Sequence, residues 1–450
     1  MVTANDRFFV RNNLPMPPPR FVRNRGAWRL HLRGTRKEQS WTLNELQGLG
    51  VESLTTVLQC SGNGRKFFEH GPSGSPWGVG AAGCAVWVGL PVRLLVEAMG
   101  GLMRGARYLT STGGEELPDG VDRNAAIVER SIPVEKALED CLLAWEMNGE
   151  PVPLDHGGPL RLVVPGYYGC NNIKYVKRLA FTKEQTQAKI QHSGYRLRPI
   201  GRKGAPDQAS MWAMNVKSWI NGPGAGGEAI PPGRTHFHGV AFSGGPAIRK
   251  VEWSIDDGRT WSEAKLMGPD MGRYAWRQFT FAAELSEGTH RVFSRAHDEA
   301  GEVQPEARLE NERGYGNNSW RDHGLAVVAS GNAQRSSAEH SEVEPSSPPV
   351  APPAPEAPTA SGQLDARALR GREALLQQTQ PACGACHGLQ EAGLQGAVGP
   401  ELDALRPSAA RVEAAVRNGV GAMPAYEGQL SEETIKDIAH YVEMATRGSK

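Results

Sequence analysis

The sequence predicts three folded units of different class: an α+β unit, an all-β immunoglobulin-like sandwich, and a small all-α unit behind a proline-rich tether. Three observations carry this. The first 200 residues mix short strands, helices and glycine-rich loops; residues 212–327 alternate short strands with Gly, Pro and Asp turns; residues 364–450 carry helical periodicity. At 450 residues the chain is too long for one core, and one domain per ~150 residues gives three. The boundaries follow composition: 1–200, 201–330, a Pro/Ser/Ala-rich linker over 331–363, and 364–450.

Bulk charge excludes two function classes. The 50 Lys and Arg residues are balanced by 49 Asp and Glu, which leaves no charge excess for nucleic acid or a membrane surface. No apolar run approaches the ~20 residues that span a bilayer, and residues 1–6 hold no signal-peptide core. The six cysteines, Cys60, Cys84, Cys141, Cys170, Cys383 and Cys386, are too sparse for a disulfide framework. Cys84, Cys141 and Cys170 stand among apolar or small neighbours and read as structural thiols.

In the first unit, Arg7 to Pro15 reads as an aromatic, basic strand ending at a Pro-rich turn, with Arg11 by itself a solvated charge. Thr42, with Glu45 three residues on, fits the cap of a helical turn. The β-branched segment Val51 to Val57 then leads into Leu58-Gln59-Cys60-Ser61-Gly62-Asn63-Gly64-Arg65. A thiol is a ligand or nucleophile only as thiolate, a form favoured by nearby positive charge, and Arg65 supplies that charge. Gly62 and Gly64 allow a tight turn and close approach of a bulky group. The octapeptide alone fits an inert buried cysteine equally well. A helix is expected over Val92 to Met99. Further on, His156 falls in a turn and Arg161 on the strand after it, which without context reads as a surface turn and a solvated strand face.

The second unit contains Val251 to Trp261, a strand, an Asp-Gly turn and a strand, followed by strand-like runs over Ala275 to Phe281 and His290 to Ala296. The Ser, Pro, Ala and Glu residues of 331–362 cannot bury enough apolar surface to fold, so they read as an extended tether. Beyond it, Cys383-Gly384-Ala385-Cys386-His387 is the haem-attachment pattern, two thiols for the vinyl groups and an imidazole for the iron. Met423, in Gly421 to Tyr426, offers the second axial ligand. The last helix, Leu430 to Met444, brings Ile435, Ile438, Tyr441 and Val442 to one side, enough to cover a haem face.

On LQCSGNGR, the MNGEPVPLDHGGPLRLVVPG run and CGACH, residues 7–325 resemble the sulfite oxidase family of molybdenum enzymes, and 364–446 resemble a monohaem class I cytochrome c. The pattern is similar to bacterial sulfite dehydrogenases that pass electrons to a cytochrome, here fused into one chain. The resemblance implies that Cys60 is the protein ligand to molybdenum on one pyranopterin, a soft thiolate suited to such a metal. It implies that Phe9, Asn12, Asn13, His156, Arg161, Asn172, Ile173 and Lys174 hold the cofactor. It also implies a substrate site of Arg11, Arg65, Arg313, Tyr195 and Trp77, whose guanidinium forks suit a small oxyanion. Asn13 departs from the family, where histidine is common at that place.

The function implied is oxidation of sulfite to sulfate, with electrons passing singly to the covalent haem c and on to an external cytochrome c or a terminal oxidase component. Another sulfur substrate, sulfane or sulfoxide, and an electron carrier with a degenerate molybdenum domain are the alternatives. A c-type haem in place of a b5-like one argues against nitrate reduction. The family's sandwich implies a homodimer, and haem attachment of this kind implies the periplasm, with the export signal taken as removed.

Overall fold

The computed structural model describes residues 2–117, 122–331, 333, 364–379, 382–395, 401–419 and 423–447. Apart from residues 331 and 333, the expected tether lies outside them.

Two five-stranded sheets build the first unit. In one, Gln39–Thr42, Arg29–Arg33, Val176–Thr182, Tyr108–Gly113 and Glu129–Pro133 lie side by side in that order. Arg29–Arg33 reads RLHLR and buries Leu30 and Leu32 while its polar residues face out, the two-residue period of a half-buried strand. The other sheet runs Glu52–Gln59, Ala82–Pro91, Leu142–Met147 and Glu150–Pro151, with Arg161–Val163 also pairing Leu142–Met147. Its edge strand Glu52–Gln59 is exposed at the start and buried over its last four residues, so its end carries Cys60 into the interior. The expected cap is present: Thr42 Oγ1 accepts from Glu45 N at 3.3 Å, and the Glu45 carboxylate accepts from Thr42 N at 2.6 Å.

Three expectations are corrected here. Arg7 to Pro15 is not a strand; it is a short 3₁₀ turn, Asn5–Arg7, followed by irregular chain. Phe8 fills the space above Gly83, where a Cβ would lie 2.6 Å from its ring, so the segment packs on the sheet instead of extending it. His156 and Arg161 are 2% and 6% exposed, which rules out the solvated strand face. The last helix is Glu432–Arg447, because Ser431 accepts from Thr434 N at 3.1 Å and sets its start.

The second unit is two antiparallel four-stranded sheets. One runs Lys217–Gly222, Gly233–Phe242, Arg277–Leu285, Lys265–Met267, and the other Ser262–Glu263, Ile248–Ser254, Gly288–Asp298, Leu325–Ala329. Phe237, Phe279, Val251 and Val292 from both sheets share one core. Asp257 and Gly258 do turn, with φ of 61° and 78°, but the returning strand expected within Val251–Trp261 is displaced. After the turn Ile248–Ser254 is paired by Ser262–Glu263, with Trp253 opposite Ser262, so residues 255–261 form a longer loop. In the third unit, Ala366–Gln377, Leu402–Leu405, Ala409–Asn418 and Glu432–Arg447 enclose a separate core.

Gly166 joins the first two units. Its φ is +74°, its carbonyl accepts from Met214 N at 2.9 Å, and a Cβ there would fall 2.0 Å from Gly244 O. Neither strain relaxes without separating the two backbones. Gly166→Ala is expected to destabilise this junction by about 2–3 kcal/mol, read as a lower denaturant midpoint by tryptophan fluorescence; an unchanged midpoint would contradict the close approach.

Candidate active site

Cys60 stands at the end of its strand, in a turn locked by Asn63. Cys60 N donates to Ala81 O at 2.9 Å, and Asn63 N returns to Cys60 O at 3.0 Å. The buried Asn63 amide donates to Gln59 Oε1 at 3.1 Å and accepts from Ala81 N at 3.2 Å. Gly64 has φ +99°, and a Cβ on Gly62 would lie 2.4 Å from Arg65 Nη2. The two glycines thus make room for the turn and for the Arg65 side chain itself.

Arg65 is buried and fixed by carbonyls. Its Nε donates to Arg313 O at 2.9 Å and its Nη1 to Ser75 O at 2.8 Å. Burial lowers its pKa, with Tyr315 and Cys60 opposing that effect. Arg313 arrives on the long loop after Gly288–Asp298, and Gly316 of that loop donates to Ser61 O at 2.9 Å. Arg313 Nε is buried without a hydrogen-bond partner. Tyr195 stacks on Tyr315 with ring centroids 5.4 Å apart, and Arg65 lies over Tyr315 at 5.3 Å. Burial pushes the Tyr195 phenol above its ordinary range, so it remains a proton donor at neutral pH; it donates to Asn13 Oδ1 at 3.4 Å.

Cys60 opens onto a pocket whose walls include Phe9, Arg11, Asn12, Asn13, Arg161, Asn172, Ile173, Lys174 and Tyr195. His156 stands behind this wall, with Nε2 2.9 Å from Asn5 O and its carbonyl accepting from Arg161 Nη1 at 2.6 Å. Burial lowers its imidazole pKa. Asn172 Oδ1 accepts from Val164 N at 2.7 Å and so ties two wall segments together. Lys174 donates to Asn12 Oδ1 at 2.6 Å and to Asp155 O, and burial holds its pKa well below the usual lysine range. Arg161 Nε has no partner, and burial brings this guanidinium down to about 10. Buried cations resting on carbonyls, one with an orphaned N–H, suit an anionic group in the pocket.

Trp77, Arg65 and Arg313 lie outside that lining. Trp77 meets Phe9 edge-on at 6.5 Å and faces a second cavity of about 540 Å³. Cys383, Cys386, His387 and Met423 line this second cavity, as do Arg11, Asn12 and Asn13, so the 11–13 segment is a wall common to both. Ile438 and Val442 face it, whereas Ile435 and Tyr441 do not: Tyr441 packs against Gly371 of the neighbouring helix and donates to Glu391.

Sequence reasoning missed four residues. Tyr315 lies two residues past Arg313, and an aromatic so close to a candidate site arginine was a usable signal. Glu115, pushed up to about 7 by burial, lines the Cys60 pocket, and Cys170, read as structural, lines it too, accepting from Ser61 Oγ at 3.5 Å. Lys217 is buried under the Cys60 turn and donates to Asn63 O at 3.2 Å and Asn317 O at 2.8 Å. No local pattern marks Glu115, Cys170 or Lys217.

Residues 16–190 match the oxidoreductase molybdopterin binding domain, 208–327 the Mo-co oxidoreductase dimerisation domain, and 367–442 cytochrome C oxidase, cbb3-type, subunit III. The chain is 32% identical over 339 residues to sulfite oxidase of Gallus gallus, covering 71% of this chain and 72% of that protein. The chain belongs to the sulfite oxidase family. Mitochondrial sulfite oxidase of Homo sapiens is 32% identical over 342 residues, which span 71% of this chain and 60% of the human protein. Among solved structures, the sulfane dehydrogenase SoxCD of Paracoccus pantotrophus has a TM-score of 0.58 at 28% identity, over 68% of this chain and 78% of that one.

The cofactors of this sulfite oxidase family member are molybdenum-molybdopterin and haem c, and the walls of both cavities fit them. Cys60, a soft donor opening onto a pocket walled by buried cations, fits a molybdenum carried on an anionic pterin. Two thiols, an imidazole and a thioether facing one apolar cavity are the donor set of a covalent haem.

Burial lowers Lys217 from 10.5 to about 7. Between those values the unfolded chain holds a proton that the folded chain has released, so stability rises with pH across about pH 7 to 10.5. Lys217→Met is expected to flatten that rise in denaturation curves taken at a series of pH values; parallel curves for the two proteins would contradict it.

Proposed function

We propose that the chain is a sulfite dehydrogenase, oxidising sulfite to sulfate beside Cys60 and passing electrons singly to its own haem c, then to an external cytochrome c or terminal oxidase component. The observation that carries this is the pair Arg11 and Tyr195 in the wall of the Cys60 pocket, with buried Arg65 and Arg313 next to the Cys60 turn outside that wall, the Arg65 guanidinium held on carbonyl oxygens and its charge uncancelled by an ion pair among the described residues. Such a ring favours a small doubly charged oxyanion over a neutral substrate.

When bound, molybdopterin supplies the two-electron chemistry and haem the one-electron relay. The protein's part is placement. Cys60 is the thiolate ligand, Arg65 and Arg313 hold the anion, Arg11 lies between the two cavities, and the Tyr195 phenol donates a hydrogen bond that Asn13 orients. Asn13 accepts that bond without titrating near neutral pH, unlike the histidine common in the family. Phe9, Asn12, His156, Arg161, Asn172, Ile173 and Lys174 are the pterin wall, and Trp77 shields the side towards the haem. The two-sheet unit serves, in this reading, as an immunoglobulin-like dimerisation module of a periplasmic homodimer.

A sulfane substrate is the second reading, favoured by the likeness to SoxCD. Cytochrome c reduction by the purified holoenzyme separates the two: turnover with sulfite is expected, against little with thiosulfate or a protein-bound sulfane. Cys60→Ser is expected to abolish it. Removing one charge-assisted hydrogen-bond donor is worth about 1.5–3 kcal/mol, so Arg65→Gln is expected to lower kcat/KM for sulfite by about 10- to 100-fold. Native sulfite turnover in Cys60→Ser, or turnover with sulfane alone, would overturn the assignment.

A further inference from the structure

The haem unit touches the anion site through two arginines. Arg313 Nη1 of the site approaches Gly419 O of the haem unit at 3.5 Å. Arg411, in the first turn of Ala409–Asn418, donates to Gly74 O. Gly74 separates Arg411 from Arg65: its φ is +109°, and a Cβ there would lie 2.7 Å from Arg65 Nη1. Arg411 is half-buried, forms no ion pair among the described residues, and lines the haem cavity beside Arg11 and Trp77. Burial lowers its pKa, and the charge on Arg65 lowers it further. Guanidinium groups gathered in a partly dry space, none of them ion-paired among the described residues although Asp155 lines the same cavity, repel one another until an anion lies among them.

We propose that Arg411 is the haem unit's contribution to the anion site, so that binding of a sulfur oxyanion and docking of the haem unit stabilise each other. The oxyanion held by Arg65 and Arg313 offsets the repulsion that docking of Arg411 introduces. By reciprocity a docked haem unit raises the site's affinity for the anion. The haem unit therefore sits against the site most firmly while substrate or product occupies it, and an empty site favours undocking. This rests on the oxyanion reading of the pocket given above.

The test uses the full-length holoenzyme with sodium sulfate as the probe and sodium chloride at matched ionic strength as the control. Backbone hydrogen exchange of residues 73–75 and 409–419 reports docking, and its sulfate dependence gives the affinity. Sulfate is expected to slow exchange in the wild-type protein. Arg411→Gln is expected to lose that effect and to bind sulfate about fivefold or more weakly, the lower end of ordinary coupling between sites. Arg411→Glu is expected to reverse the sign, docking firmly without sulfate and exchanging faster with it. The proposal is overturned if all three proteins respond to sulfate alike, if Arg411→Glu keeps the wild-type sign, or if chloride protects as well as sulfate. Sulfate protection without sulfite turnover sinks the substrate assignment alone; sulfite turnover with identical sulfate responses sinks the Arg411 proposal alone.

Discussion

Burial of guanidinium groups without carboxylate partners is the constraint on which the rest of the structure depends. Arg65, Arg161 and Arg313 direct hydrogen bonds to main-chain carbonyls, which orient them but do not cancel their charge. A buried charge left in that condition is unfavourable by several kcal/mol unless a counter-charge arrives. The anionic molybdopterin is such a counter-charge, and in the proposed function a substrate oxyanion is another.

The fold is arranged to meet that constraint. One edge strand ends buried, which delivers Cys60, and the Asn63 amide closes the turn after it. The two-sheet unit supplies what the first unit lacks: Arg313 and Tyr315 on a long loop, and Lys217 from below, hydrogen-bonded to the backbone of the Cys60 turn. The two units therefore form one site, and the close contact of Gly166 with Gly244 serves that site as much as stability. The segment 11–13 then lines the Cys60 pocket on one side and the cavity of the Cys-x-x-Cys-His motif on the other.

What could be read from the sequence was what local chemistry determines. The Thr42–Glu45 capping box and the Cys-x-x-Cys-His run need only neighbours within a few residues, and the structure shows the cap formed and the run's thiols and imidazole at one cavity. Of the Asp257-Gly258 hairpin only the turn itself was legible, because the returning strand forms later, at Ser262–Glu263. The Cys60 turn was legible as a glycine turn beside a cation, and Gly62 accommodates the Arg65 side chain. Burial of His156 and Arg161 was hidden because their partners, Asn5 and the packed pocket floor, are remote in sequence. Lys217 reaches Asn63 across 154 residues, and no pattern around it foretells that contact. The strand expected at Arg7 to Pro15 failed for a related reason: alternation marks a face to be buried, but not whether a strand edge or a pocket receives it.

The proposed function rests on one bond, from the Cys60 sulfur to a metal. Molybdenum K-edge X-ray absorption on the loaded protein counts sulfur neighbours directly, with no reference to turnover. One fewer sulfur neighbour in Cys60→Ser than in the wild-type protein, or loss of the metal altogether, is the expected result. An unchanged sulfur shell in the variant would contradict the assignment of Cys60 as ligand.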